Sequence, residues 1–129
     1  MAGAAGSAGA ETMQALEWLG LCLAAGGAAW AAWAWWCLRL AHTAVRPGAR
    51  PTVLVEEGPY SLGRHPMYLG IGVAWAGAAL LSGSLPTAVA GAVWAGAVAR
   101  VQVPREEQRL RQVFGGWYSD YAGSVRRWL

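Results

Sequence analysis

No lysine occurs in this chain, and its ten arginines fall into two blocks. One holds Arg39, Arg46, Arg50 and Arg64; the other holds Arg100, Arg105, Arg109, Arg111, Arg126 and Arg127. Residues 1–38 and 65–99 carry no basic side chain except His65 and are mostly Ala, Gly, Leu, Val and Trp. Cation-free apolar stretches that alternate with arginine-rich connections describe a chain threaded through a bilayer, its basic loops on one face. Composition argues the same way: 56% apolar and 13% charged residues is too greasy for a small soluble domain. The net charge of +3 then points to anionic headgroups, not to nucleic acid.

The first span is expected at residues 16–40, which as a helix reach ~37 Å, enough to cross a ~30 Å hydrocarbon core with some tilt. Trp30, Trp33, Trp35 and Trp36 crowd its inner half as an aromatic belt, and Ala24, Ala28 and Ala32 offer a small-residue face. The second and third spans are expected at residues 67–81 and 87–103. The tight turn Ser82-Gly83-Ser84-Leu85-Pro86 joins them into a helical hairpin. Gly70, Ala74 and Ala78 on one, with Ala88, Ala92 and Gly96 on the other, are expected to let those two backbones approach closely. Cys22 and Cys37 lie ~22 Å apart along the first helix, beyond disulfide reach, and are expected as buried small apolar residues. No His or Cys spacing suits a metal ion.

Residues 1–13 are Ala-, Gly- and Ser-rich without a basic n-region, and are expected as a disordered tail in place of a signal peptide. Residues 46–66 form a long loop punctuated by Pro47-Gly48 and Pro51, with a short extended piece at Thr52-Val53-Leu54-Val55. Pro104 predicts the start of a new helix. There Leu110, Val113, Phe114, Trp117, Tyr118 and Tyr121 share one apolar face, and Gly115-Gly116 should break or bend the run. The expected architecture is one all-α integral membrane domain over residues 1–129. It has three transmembrane helices, the second and third a tight hairpin, and an amphipathic helical region over 105–129 on the membrane interface. The positive-inside rule puts the basic loops and this last region in the cytoplasm, at a plasma (inner) membrane.

Dense polar chemistry is confined to the basic loops. Arg64-His65-Pro66 stands where a loop enters the second span. Arg64 can snorkel to headgroups while Pro66 opens the helix; equally, Arg64 and free amides at the helix start can clamp a carboxylate, with Tyr60 and Tyr68 beside them. Glu106 and Glu107 suit the first turn of a helix, and Glu107 has a favourable surface partner in Arg111 four residues on. Glu106 shares its i+4 line with Leu110, on the apolar face, where an acid is costly unless it meets a cation or donor. Glu106 is therefore expected as the main ligand of a bound ammonium or hydroxyl, and Glu107 as the supporting ion pair. Arg64 and Arg105 are candidates for positioning an acceptor.

Gly58-Pro59-Tyr60 followed by Arg64-His65-Pro66-Met67-Tyr68-Leu69-Gly70 resembles the first motif of the membrane methyltransferases related to isoprenylcysteine carboxyl methyltransferase and the phospholipid N-methyltransferases. Glu106-Glu107, Leu110, Phe114-Gly115, Tyr118, Tyr121 and Val125-Arg126 resemble the second. The likeness covers about residues 46–129. It implies S-adenosylmethionine as methyl donor, with Tyr60, Arg64, His65, Pro66, Met67, Tyr68, Glu106 and Glu107 around it. It also implies a membrane-dissolved acceptor: an isoprenylcysteine-type carboxylate, a lipid headgroup or a small lipid. In the isoprenylcysteine enzymes an arginine stands four residues before the first glutamate; here Gln102 does, which puts a small lipid acceptor at least level with a prenylated protein. An Arg-His-Pro motif also occurs in the nicotinamide-dependent sterol reductases, but there Asn follows the Pro and an acid follows the Gly, where this chain has Met67 and Ile71. A non-catalytic membrane protein that keeps the motifs for packing is the remaining alternative.

Overall fold

The computed structural model describes residues 2–43, 51 and 53–129. The regular elements among them are all helical: α1 (Ala2–Leu40), a 3-10 turn (Gly58–Ser61), α2 (Pro66–Ser82), α3 (Leu85–Ala97), a π-helical turn (Val98–Gln102), α4 (Val103–Phe114) and α5 (Gly116–Ser124). Arg46, Arg50, Pro47-Gly48 and Thr52 of the expected loop lie outside the described residues. Val53, Leu54 and Val55 form no strand.

Over Ala8–Leu40, α1 is long and apolar enough to cross a membrane. It begins at Ala2, so the segment expected as a disordered tail is helical from there on. Alanine has the highest helix propensity, and a run joined to a preformed helix only has to propagate, never to nucleate. Trp18 (61% exposed), Trp36 (55%) and Leu19 (49%) point away from the protein, while the buried stripe is Gly20, Gly27 and Ala34. Large apolar side chains outside and small ones inside suit a helix whose solvent is lipid.

That stripe packs against α2, the most extensive helix–helix contact in the protein. The two helices run antiparallel: a Cβ built on Gly20 would lie 2.8 Å from the Gly77 carbonyl, and one on Gly70 would lie 2.6 Å from the Gly27 carbonyl. Seven residues separate the glycines within each helix, a spacing that keeps a seam in register along two helices. The expected face of Ala24, Ala28 and Ala32 is thus corrected, because only Ala24 lies on the seam while Ala28 and Ala32 are exposed. Cys22 is exposed too, against expectation, while Cys37 is half-buried.

The Gly70–Ala74 side of α2, expected against α3, is used for α1 instead. The α2–α3 contact is aromatic: Trp75 and Trp94 pack with ring centroids 5.5 Å apart, and Trp75 Nε1 donates to the Thr87 carbonyl at 3.0 Å. Gly83 closes α2 in the left-handed conformation (φ 63°), and Ser84 caps α3 by accepting from Thr87 N at 3.3 Å. An apolar groove of about 580 Å³ opens between these helices, lined by Gly72, Trp75, Ala79, Ala88 and Gly91 among others.

No break precedes α4. Pro104 would leave a carbonyl unpaired and clash with the preceding turn of a regular helix. The π turn before it widens the spiral, with Val103 N donating to the Val98 carbonyl five residues back. The helix therefore runs on from Leu85 to Phe114 where a fresh start was expected. At Gly115 (φ 56°) it does break. The apolar face beyond is not simply laid on a membrane interface: Leu110, Phe114, Ala122 and Val125 fold with Tyr118 and Tyr121 around Leu54.

Candidate functional site

Where α2 starts, three loop amides are stitched to other segments. Gly63 N donates to the Pro59 carbonyl at 3.2 Å, Arg64 N to the Arg126 carbonyl at 2.9 Å, and His65 N to the Arg127 carbonyl at 3.2 Å. Gly63 has to be glycine, since a Cβ there would collide with the Trp128 carbonyl. Tyr121 Oη donates to the Tyr60 carbonyl at 2.6 Å, tying the 3-10 turn to α5. Residue 64, residue 65 and the first turn of α2 are thereby held against the N-terminal turns of α4.

Glu107 is the centre of the arrangement, at 3% exposure. Its Oε1 accepts from Arg127 Nε at 3.0 Å and its Oε2 from Arg127 Nη2 at 2.8 Å, a two-pronged guanidinium–carboxylate pair. Arg64 Nη1 and His65 Nε2 each lie 3.2 Å from the same Oε1. Arg64 Nη1 also donates to Tyr118 Oη at 3.3 Å. The expected pairing of Glu107 with Arg111 is overturned, since Arg111 sits over the Tyr118 ring, 5.8 Å from its centroid. A buried carboxylate needs more than one exposed surface partner, and the fork of Arg127 meets both of its oxygens. Burial pushes the Glu107 carboxyl up, but the hydrogen bonds from Arg127 and His65 and the charge of Arg64 outweigh it and hold it below the usual 4.5. Burial lowers His65 from its usual 6.5, partly opposed by Glu107, so the imidazole is neutral near pH 7.

Glu106 lies beside this cluster on the α2 side. Its Oε1 accepts from Tyr68 Oη at 2.5 Å and from Gln102 Nε2 at 3.1 Å. Its Oε2 has no hydrogen bond among the described residues and stands 4.0 Å from His65 Nδ1. The side chain is 24% exposed, against 3% for Glu107. Around it gather Tyr68, stacked on His65 with centroids 6.1 Å apart, and Trp94, edge-on to Tyr68 at 6.4 Å. Burial, foremost, raises the Tyr60 hydroxyl above its usual range, with Tyr121, Cys37 and Glu106 adding to it.

Of the residues singled out from the sequence, Arg64, His65, Tyr68, Glu106 and Glu107 converge, and Tyr60 adjoins them. Pro66 is fully buried and fixes the start of α2, and Met67 is half-buried. Arg105 is exposed and takes no part in the cluster. Sequence reasoning passed over Arg127, Trp128 and the hydrogen bond made by Gln102; no local signal ties Arg127 to a carboxylate 20 residues upstream. Among the described residues no group of His, Cys, Asp or Glu is arranged to hold a metal ion. The α2–α3 groove carries no titratable side chain, whereas His65, Glu106 and Glu107 meet at the start of α2.

The arrangement can take up a small molecule that bears hydrogen-bond donors and a positive charge. Glu106 Oε2 is a spare acceptor, Tyr68 and Trp94 supply aromatic surface, and Arg64 Nε is a buried donor with no partner among the described residues. A family model described as phospholipid methyltransferase matches residues 16–116. No curated protein matches the chain, and no solved structure does.

Proposed function

The chain belongs to the phospholipid methyltransferase family, and from that premise we propose that it transfers a methyl group from S-adenosylmethionine to a lipid-type acceptor dissolved in the membrane. The observation that carries this reading is the meeting of the two motifs. Tyr68 and Glu106, 38 residues apart, share a hydrogen bond, and Glu106 keeps one oxygen for a ligand. The donor set fits the cofactor. Glu106 would receive its ammonium or ribose hydroxyls, the rings of Tyr68 and Tyr60 would face its cationic sulfur, and Arg64 with the first-turn amides of Met67 and Tyr68 would meet its carboxylate. His65 and Met67 complete the wall.

When bound, the cofactor supplies a methyl group on a positively charged sulfur, ready for in-line displacement. This chain's residues have only to orient the acceptor atom opposite the sulfur and keep water out. A carboxylate acceptor needs no base; an amine acceptor must first lose its proton. Both a lipid headgroup and an isoprenylcysteine-type carboxylate satisfy this chemistry. With Gln102 bound to Glu106, and no arginine at that position, the headgroup or small lipid is the better supported.

Calorimetry of detergent-purified protein with S-adenosylhomocysteine tests the reading. Glu106→Gln is expected to weaken binding five- to thirty-fold, the loss of one good charged hydrogen bond, about 1–2 kcal/mol, with the unfolding temperature little changed. Wild-type affinity in both Glu106→Gln and Tyr68→Phe, or binding of a nicotinamide cofactor in its place, overturns it.

The same reading gives three crossings, with α2 and α3 as a hairpin and the site at the cytoplasmic face of the plasma (inner) membrane. All arginines then lie at or near that face. A cysteine introduced as Ser82→Cys is expected to react with an impermeant reagent in intact cells whose native cysteines are replaced, and one introduced as Ser61→Cys is expected not to. Reaction of the second alone reverses the orientation.

A further inference from the structure

The family-matched span ends at residue 116, yet the Glu107 carboxylate is held mainly from beyond it. Residues 125–129 follow α5 as an irregular segment that starts at Val125 with φ −122° and ψ 130°. They lie across the loop that carries His65. Three attachments fix them there. The carbonyls of Arg126 and Arg127 take the amides of Arg64 and His65, Arg127 grips both oxygens of Glu107, and Trp128 stands 5.9 Å from the His65 ring, centroid to centroid. Residue 63 is a glycine where the Trp128 carbonyl touches it.

From this geometry we infer that residues 125–129 are a working part of the site, and that Arg127 is a positioning residue that acts through Glu107 to set which nitrogen of His65 carries the proton. An ionised Glu107 can only accept, so the contact at Oε1 places the imidazole proton on Nε2. Nδ1 is then left as an acceptor, and it faces Glu106 Oε2 at 4.0 Å. Two acceptors side by side repel each other unless a group with two donor hydrogens bridges them. They make a notch for an ammonium or for a pair of vicinal hydroxyls. Arg127 keeps the notch in this state. Arg64, the other cation on Glu107, also serves Tyr118, and reaches the carboxylate through one nitrogen only. Trp128 holds the ring from turning.

The role of these residues toward a ligand rests on the methyltransferase reading; the tautomer does not, and it can be read without cofactor. The groups facing Glu107 are Arg64 and His65 before α2, Arg127 in the closing segment, Tyr118 of α5, and neighbouring Glu106. Full-length protein labelled with 15N-histidine, its His65 signal identified by its loss in His65→Gln, gives the test by NMR. The wild type is expected to show His65 protonated on Nε2 with Nδ1 bare across neutral pH. Arg127→Met is expected to give a mixture of tautomers, and Arg127→Lys, which restores one charge but not the fork, an intermediate pattern. S-adenosylhomocysteine affinity should fall at least fivefold in Arg127→Met and recover partly in Arg127→Lys. A His65 signal identical in wild type and Arg127→Met in folded protein overturns the inference. If the tautomer shifts while no variant, nor the wild type, binds S-adenosylhomocysteine, the positioning role stands and the methyltransferase reading fails. Trp128→Phe, which keeps a ring against His65, is expected to preserve the wild-type pattern; a mixed pattern there in the presence of intact Arg127 would assign the control to Trp128 instead and overturn the role given to Arg127.

Discussion

Glu107→Gln is expected to destabilise the protein by about 3 kcal/mol, the cost of breaking a buried ion pair while its partners stay behind. The value sits at the lower end for such a change because Arg127 is 43% exposed and can turn into water. Arg64 is 13% exposed and has no such escape. Thermal unfolding in detergent measures the loss, and its pH dependence identifies the cause. The Glu107 carboxyl lies below its usual 4.5 in the folded protein, so its contribution is complete above about that pH and is lost as pH falls toward the folded value. His65 is lowered from 6.5; protonation therefore favours the unfolded chain, and its share is likewise lost as pH falls below 6.5. The wild type should lose stability in both windows. Glu107→Gln should keep the loss below 6.5 and lack the one below 4.5. A variant as stable as the wild type at pH 7 would mean that the cluster is solvated and that Glu107 is an ordinary surface acid.

The contrast with Glu106→Gln shows where local sequence rules reach their limit. Spacing placed Glu106 on the buried side of the helix and Glu107 at its surface, and the structure reverses their burial: Glu107 is enclosed among cations, while Glu106 is the more exposed and is turned to Tyr68 with an oxygen to spare. The partner of Glu107 was not legible. An i, i+4 rule can propose only Arg111, whereas Arg127 arrives from 20 residues downstream after a break at Gly115 and a second helix. Desolvation decides between them, and desolvation is a property of the fold.

The membrane character and the two motifs were legible because each is written locally, in cation-free runs and in short strings of polar residues. The π turn was not. Pro104 signalled correctly that a regular helix has to yield there, but a fresh start and a widened turn answer the same steric demand. The continuous solution matters for the site. Gln102 and Glu106 stay on one helical face, four residues apart, and their side chains meet at 3.1 Å. The small-residue faces were misassigned for a related reason. A repeat of four identifies small residues, but which helix they meet depends on the whole length of the contact.

Gly70→Leu is expected to have the other large effect, because backbone and not side chain occupies the space. A Cβ at residue 70 would lie 2.6 Å from the Gly27 carbonyl and 2.7 Å from Ala31 N, neither of which can swing aside. The only response is separation of α1 from α2 along a seam built of glycine and alanine, where close approach is the source of the attraction. A loss of at least about 3 kcal/mol is expected, the upper range for overpacking. Gly26→Leu is the matched control: Gly26 is on α1 with nothing within 4 Å of its would-be Cβ, and the same change there should stabilise slightly through helix propensity. Comparing the two in one detergent cancels the effect of added apolar surface. The seam also reaches the site. Gly70 lies two residues beyond Tyr68 on α2, so parting the helices carries Tyr68 and His65 away from Glu106 and Glu107. Gly70→Leu protein that remains folded should therefore have lost S-adenosylhomocysteine binding, and Gly26→Leu should have kept it. Binding retained in Gly70→Leu would mean that the height of α2 is set by the loop at residues 58–65 and not by its packing on α1.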